Sequence, residues 1–457
     1  MTVEQKQKDM LETPIPKLIP KLAVPTIISM LITSFYNMVD TFFVGMLDDP
    51  SATGAVGVVF SYMAILQALS FMIGHGSGNF ISRKLGQGDK DAASVMASCS
   101  FFYALIVGAI LMVSGLIFLK PLCMFLGSTD TILPYAMDYL RYILLASPYM
   151  AAAFVLNNQL RFQGSATYAM VGIVAGAVLN IALDPLLMFV FDMGVSGAAI
   201  ATAISQLISL GLLFAGTRRG GNLKISFKNL KVKFWIFKEI LRGGIPSLFR
   251  QGLASISAIC LNTVAGGLGG DEAIAGMSIV SRVMMFANSA MIGFGQGMQP
   301  VSGFNYGAGK YERVREAFWF CVKWAAIFLA LIGVAGFVFA PTIASWFQRD
   351  EKVIAVASWA LRFQCVTFIL NSWIVPSNMM LQSVGKAFGA SLLAASRNGI
   401  LFLPPLYLLT RLFGITGLQL AQPVADACSF LLSIPFIMAF FREIKGKSLG
   451  AEEQAKT

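Results

Sequence analysis

Apolar runs of about twenty residues or more follow one another along the whole of this 457-residue chain. Twelve spans can be drawn, at roughly 18–46, 54–80, 93–118, 133–160, 168–191, 196–216, 243–267, 273–301, 317–339, 353–380, 388–410 and 415–440. Runs of that length match the thickness of a bilayer as helices. In hydrocarbon no water can satisfy backbone N–H and C=O groups, so a uniformly apolar run crosses as a helix that bonds to itself. The composition agrees, with 56% hydrophobic and 12% charged residues, about half the charged share of a soluble chain. The sequence therefore predicts an all-α integral membrane protein with twelve transmembrane helices. Nothing before Leu18 has the charged, apolar and small-residue order of a cleaved signal peptide, and none is expected. The six cysteines show no pairing or metal spacing and read as small core residues.

An even number of spans places both termini on one side. The segments on that side hold 24 of the 34 Lys and Arg, whereas the opposite loops hold only Lys120, Arg349, Lys352 and Arg411. By the positive-inside rule both termini are expected in the cytoplasm, with the chain in the inner (plasma) membrane. The net charge of +11 then reflects topology and contact with anionic membrane lipids, and no nucleic-acid partner is expected.

The chain also repeats itself. At an offset of 221 residues Pro25 meets Pro246, Gly74 meets Gly295, Gly88 meets Gly309, Arg141 meets Arg362, Asn157 meets Asn378 and Gly164 meets Gly385. After one deletion the offset is 220, and Pro185 meets Pro405, Gly194 meets Gly414 and Gly197 meets Gly417. A unit of six spans makes the halves parallel, so two pseudo-symmetric six-helix bundles are expected. The resulting division is a tail at 1–17, an N-terminal bundle at 18–216, a basic linker at 217–242, a C-terminal bundle at 243–440 and a tail at 441–457. The linker residues Phe227, Val232, Phe234, Trp235 and Phe237 suggest a short helix on the cytoplasmic membrane surface. Two like bundles are the architecture of an alternating-access transporter.

Candidate chemistry follows from polar residues inside the spans. Asp40 closes the first span, with Asn37 and Tyr36 three and four residues before it and so on its face of a helix. A carboxylate at membrane depth is functional by default. Asp184 has Asn180 one turn earlier, and Pro185 after it removes a backbone hydrogen bond. Asn180, Asp184 and that backbone form an oxygen-rich patch toward which Asn157 and Thr202 are candidates to point. Oxygen ligands without His or Cys suit a proton or a sodium ion, and no other cofactor is expected. Asp138 with Arg141 reads as an interfacial ion pair, and His75, in Gly-His-Gly, as a capped or interfacial histidine at the end of the second span. The second half has no counterpart of the acids, since Asp40 aligns with Leu261 and Asp184 with Pro404. Its own polar set includes Gln251, Arg397, Gln422 and Asp426. Arg397 and Asp426 form either a structural ion pair or part of a second cavity. No phosphate-binding loop and no nucleophile motif occurs, so neither an ATP-driven pump nor an enzyme is expected.

These residues together resemble the multidrug and toxic compound extrusion (MATE) transporters over about residues 15–445. The resemblance is carried by Pro25, the Asn37–Asp40 and Gly45 stretch, Gly86-Gln87-Gly88, Asn157, Asn180, Asp184-Pro185, Gly194–Gly197 and Asn305-Tyr306-Gly307-Ala308-Gly309. It implies export of small amphipathic, often cationic compounds against proton or sodium entry. It further implies a coupling network of Asp40, Asn157, Asn180, Asp184 and Thr202, and a first helix that bends at Pro25. One branch of the family carries a glutamate in the seventh span, and this chain has no acid there. A monomer is the expected working unit. The competing reading is a flippase for a lipid-linked oligosaccharide or related lipid carrier, with Arg250, Arg282 and Arg397 facing pyrophosphate.

Overall fold

The structure is a computed structural model. It describes residues 2–47, 49–231 and 233–456, with Asn37, Pro50 and 450–456 described by their backbone alone. The regular structure is helical throughout the described residues. The first half contains α1 (Val3–Glu12), α2 (Ile15–Gly45), α3 (Pro50–Gly86), α4 (Lys90–Ile117), the short α5 (Leu119–Phe125), α6 (Leu133–Phe162), α7 (Ala166–Pro185) with a π turn at Leu186–Val190, and α8 (Gly194–Thr217). The second contains α9 (Phe234–Gly307), α10 (Tyr311–Val338), the short α11 (Ala340–Phe347), α12 (Glu351–Phe368), α13 (Asn371–Ser383), α14 (Ala387–Ala395) with a π turn at Ser396–Ile400, α15 (Leu403–Phe413) and α16 (Ile415–Lys456).

Ten helices among the described residues are long and apolar enough to cross a membrane, and α12 with α13 forms an eleventh crossing bent by 58°. The 74-residue α9 would be about 110 Å long at 1.5 Å per residue, far beyond a bilayer. Its dihedrals leave the helical region at Gly269 and Gly270, which divides it into two crossings and accounts for twelve.

Two compact units result. One comprises residues 1–12 and 24–244, and the other 13–23 and 245–457. The segments 13–23 and 234–244, which open the two repeats, are related by the 221-residue offset.

The repeat extends to backbone detail. Gly88 and Gly309 have φ of 81° and 72°, and Gly164 and Gly385 have φ of 79° and 84°. Each ends a helix in the left-handed conformation that glycine adopts without a Cβ clash. The following N–H reaches back to the last turn each time: Asp89 N to Lys84 O at 2.9 Å, Lys310 N to Asn305 O at 2.9 Å, Ser165 N to Leu160 O at 2.9 Å, and Lys386 N to Leu381 O at 2.8 Å. Gly86-Gln87-Gly88 and its partner are therefore helix caps. Packing repeats too. A Cβ at Gly74 would meet Asn158, and one at Gly295 would meet Met379, the residue 221 positions on.

Within the first unit, α4 presents two contrasting faces. Ile106, Ile110, Val113 and Ile117, each more than half exposed, form a stripe one turn apart that suits lipid. The other face buries Ala93, Ala97, Ala104 and Gly108. Small residues let helix backbones approach closely where lipid gives no hydrophobic drive for association. At Gly108 the approach is extreme, since a Cβ would lie 2.5 Å from Pro148 Cα and 2.6 Å from Ser147 O on α6.

Three sequence expectations are corrected here. The linker forms no separate surface helix among the described residues, outside which Val232 lies: only a 3₁₀ turn at Phe227–Asn229 precedes α9, and Phe234–Arg242 is the first part of α9 itself. His75 caps nothing. It is fully buried inside α3, which continues to Gly86, with Nδ1 3.1 Å from Phe71 O and Nε2 3.2 Å from Arg161 NH2. Asp138 is exposed and makes no ion pair with Arg141 among the described residues, because its surface position offers water instead.

α1 docks through an unusual contact. Lys6 is 6% exposed and donates to Ser165 Oγ and Asn222 Oδ1, both neutral groups. Burial pushes its ammonium down to about 7. The docked state thus favours neutral Lys6. It holds fewer protons than an undocked α1, whose lysine titrates near 10.4, so docking weakens as pH falls from about 10 to about 7.

Two outcomes are expected from this packing. Gly108→Ala should lower the thermal midpoint of the purified protein, at a cost of about 1–3 kcal/mol for overpacking. Gly211→Ala, on α8 with nothing within 4 Å of its Cβ position, should be neutral or slightly stabilising. Equal midpoints for both variants would contradict the close α4–α6 contact. Lys6→Met should raise the midpoint at pH 6, with the gain fading toward pH 10. A gain independent of pH would mean that Lys6 titrates as an exposed lysine.

Candidate functional site

The first unit holds a small, partly open cavity of about 30 Å³, room for one water-sized guest, whose walls mix polar side chains with apolar ones such as Phe154, Ile173 and Leu213. Tyr36 from α2, Asn157 from α6, Asn180 from α7 and Thr202 from α8 line it, together with Thr33 and the α8 residues Ser205, Gln206 and Ser209. The 3.6-residue period explains the α8 contribution, since 202, 205, 206 and 209 share one face.

Two carboxylates adjoin these residues. Asp184 is fully buried at the end of α7, where Pro185 interrupts the helical ladder and the π turn begins. Its Oδ1 accepts a hydrogen bond from Asn180 Nδ2 at 3.1 Å, and the same Nδ2 lies 3.4 Å from Thr202 Oγ1. Its Oδ2 is buried with no hydrogen-bond partner among the described residues. On α2, Asp40 Oδ2 accepts from Tyr139 OH at 3.5 Å, while its Oδ1 is likewise buried and unpartnered. Asp40 and Asp184 lie within electrostatic reach of one another, and Tyr36 and Tyr139 feel both charges. The site therefore offers two carboxylates, an amide, hydroxyls and a phenol, with carboxylate and amide oxygens to spare. That donor set fits a proton or a small hard cation.

The structure thus gathers Tyr36, Asp40, Asn157, Asn180, Asp184 and Thr202 into one region of the first unit. The side chain of Asn37 lies outside the described residues. Pro25 lies within the continuous helix α2, and its carbonyl accepts from Ser29 Oγ at 2.8 Å. The sequence reading passes over Thr33, Ser205, Gln206 and Ser209 of the cavity wall, and over Tyr139 beside Asp40. For Tyr139 the available signal was a tyrosine in an apolar span, which is most often packing or an interfacial anchor.

Asn157 has a role that the repeat exposes. Its Nδ2 donates to Ala169 O at 3.0 Å, and Asn378 Nδ2 donates to Ala390 O at 2.6 Å, so donor and acceptor both shift by 221 residues. The bond belongs to the scaffold of both halves and leaves Asn157 its Oδ1 and the second Nδ2 hydrogen for the cavity.

In the second unit Arg397, Gln422 and Asp426 come together, and Gln251 makes no side-chain hydrogen bond to them. Asp426 Oδ1 accepts from Arg397 Nε at 2.8 Å and Gln422 Nε2 at 3.0 Å, and Oδ2 accepts from Asn371 Nδ2 at 3.2 Å. Asn371 follows the 58° bend between α12 and α13, and Arg397 sits in the π turn. Of the two sequence readings, this geometry is the structural ion pair: a buried carboxylate satisfied at both oxygens.

Because the amide bond recurs, Asn157→Ala and Asn378→Ala should each lower the stability of the purified protein, by about 1 kcal/mol. A variant of Asn157 as stable as wild type beside a destabilised Asn378 variant would show that the bond is not structural in the first unit.

The MatE family model matches residues 25–186 and again 246–408, one match for each half. The multidrug export protein MepA of Staphylococcus haemolyticus (strain JCSC1435) is 28% identical over 423 residues, 92% of this chain and 93% of that protein. A crystal structure of MATE in complex with MaL6 superposes with a TM-score of 0.90 at 26% identity, covering 96% of this chain and 99% of that one. A MATE structure in the bent conformation gives a TM-score of 0.90 at 25% identity, covering 98% and 99%. Matched by the family model in both halves and by MATE folds along nearly its whole length, the chain belongs to the MatE family of membrane transporters.

Proposed function

We propose that this chain is a cation-coupled multidrug antiporter. It exports small amphipathic, often cationic compounds by alternating access, against entry of a proton or a sodium ion. It resides in the plasma membrane with both termini cytoplasmic. The observation that carries this reading is the pair of carboxylates, Asp40 and Asp184, each with one buried oxygen lacking a partner. Such oxygens are costly unless a proton or cation visits them. The similarity to MepA, named as a multidrug export protein, supports the export direction.

The energetics are adequate. One charge entering across about 100 mV releases about 2.3 kcal/mol, which sustains a roughly fifty-fold gradient of a drug leaving electroneutrally. Coupling requires that ion and drug favour different states of one element. α2 is that element in this proposal, because it carries both Asp40 and Pro25, whose missing N–H weakens the ladder. With Asp40 charged, the helix stands where polar groups and water can reach the carboxylate. With Asp40 neutralised, that requirement lapses and α2 can bend at Pro25. Reciprocity then makes drug affinity depend on pH or on sodium.

The test is dye efflux from vesicles of reconstituted protein, with proton and sodium gradients imposed separately. Asp40→Asn should abolish gradient-driven efflux while leaving insertion and folding intact, because an amide cannot cycle its charge. Asp184→Asn combined with Asp40→Asn should be no worse than either alone if the two form one unit. Normal efflux by Asp40→Asn would remove that residue from the mechanism, and multiplying losses would separate the sites.

A further inference from the structure

Arg250 is an unbalanced charge inside the second unit. It lies on α9 one turn past Pro246, about 10 Å along the helix from Gly243. Its NH1 donates to Asn378 Oδ1 at 3.0 Å and its NH2 to Ser247 Oγ at 3.3 Å. A guanidinium carries five donor hydrogens, so three are unspent. No carboxylate among the described residues pairs with it. Asp426, the acid buried in this unit, has its oxygens occupied by Arg397, Gln422 and Asn371.

The surroundings are polar but bring no negative charge. Ser247 and Gln299 are fully buried, and Asn378 and Gln382 nearly so. Gln382 Nε2 donates to Ser247 Oγ at 2.8 Å, and Gln299 Nε2 donates to Gln382 Oε1 at 3.3 Å. Ser247 Oγ thus accepts from both Arg250 and Gln382, and its own hydroxyl hydrogen is uncommitted. A guanidinium with unspent donors and a serine hydroxyl thus lie within hydrogen-bond distance of one another, and Arg250 itself is only half-buried.

The repeat shows that the fold does not need this charge. Asn378 has its counterpart in Asn157, and the amide bond each makes recurs in both halves. Arg250 corresponds to Ser29, whose hydroxyl simply donates to Pro25 O. The scaffold asparagine is shared, and the guanidinium set upon it belongs to the second unit alone.

We propose that Arg250 and Ser247 form an oxyanion-binding site in the second unit, taking one singly charged phosphate-type group. The paired donor fork of a guanidinium matches two oxygens of such a group, and the bonds are charge-assisted. Two sources carry this chemistry, the phosphodiester of a membrane lipid and free inorganic phosphate. The site is independent of the coupling carboxylates of the first unit.

The experiment uses the full-length protein purified in detergent and two probes. Native mass spectrometry compares retention of dioleoylphosphatidylglycerol with that of dioleoylglycerol, which lacks the phosphate. A thermal-stability titration compares sodium phosphate with sodium chloride at equal ionic strength. At least one probe should bind wild type, with about tenfold weaker binding in Arg250→Gln, as expected when a charge-assisted pair is lost. A response to the lipid alone identifies a headgroup site, and a response to phosphate alone a site for soluble anions. Binding of neither probe, or equal binding by folded Arg250→Gln, overturns the proposal. Should that variant fail to purify as a single species, Arg250→Lys replaces it. The lysine keeps the charge but loses the fork, so a severalfold loss is expected, and unchanged affinity overturns the assignment.

Discussion

A buried carboxylate oxygen without a hydrogen-bond partner costs about 1–3 kcal/mol or more, and the first unit keeps two of them close together. Folded proteins seldom retain such groups, because any neighbouring donor would relieve the cost. Here the neighbours are present but limited. Asn180 spends one amide nitrogen on both Asp184 and Thr202, at 3.1 and 3.4 Å, and Tyr139 reaches Asp40 only at 3.5 Å. The site is under-donated, and the proposed coupling assigns the relief of that deficit to a proton or hard cation.

Holding those oxygens apart from better donors needs a rigid scaffold, and the scaffold derives from small residues and helix interruptions. Gly108 brings α4 against the backbone of α6 at Ser147 and Pro148, on the same helix that carries Tyr139 and Asn157. Pro185 and the π turn after it fix where α7 ends and so where Asp184 sits. Unit architecture and site are therefore one problem: the backbone irregularities that position the acids are the same ones that break the regular ladder.

Much of this was legible in the sequence, for physical reasons. Apolar runs gave the spans because lipid permits only self-satisfied helices. The repeat gave the caps at Gly88, Gly164, Gly309 and Gly385, because a left-handed turn demands glycine wherever it recurs. Asp40, Asn180 and Asp184 stood out because charge at depth is rare. Other features left no local trace. Tyr139 meets Asp40 across 99 residues of sequence. The 58° break before Asn371 follows Phe368 with no proline or glycine to announce it. Lys6 looks like any tail lysine until α1 is packed against Ser165 and Asn222.

The two halves also show how one scaffold carries different chemistry. Thr202 and Gln206 of α8 correspond, at the 220-residue offset, to Gln422 and Asp426 of α16. In the first unit these positions supply a hydroxyl and an amide to a cavity whose acids come from α2 and α7. In the second unit the same two positions supply an amide and an acid, and the acid is answered by Arg397, whose counterpart at the 220-residue offset is the small Ala177. An arginine in place of Ala177 would fill that part of the first-unit site with a charge of the sign that its acids attract. Ala177 lines the first-unit cavity, whereas Arg397 is spent on the acid of the second unit. Under the proposed coupling, the small residue at position 177 therefore matters alongside Asp40 and Asp184. The second unit, with Asp426 held in an ion pair, keeps Arg250 without an ion-pair partner among the described residues. The two halves thus differ in which charge the repeat leaves without an ion-pair partner, acids in the first unit and a guanidinium in the second.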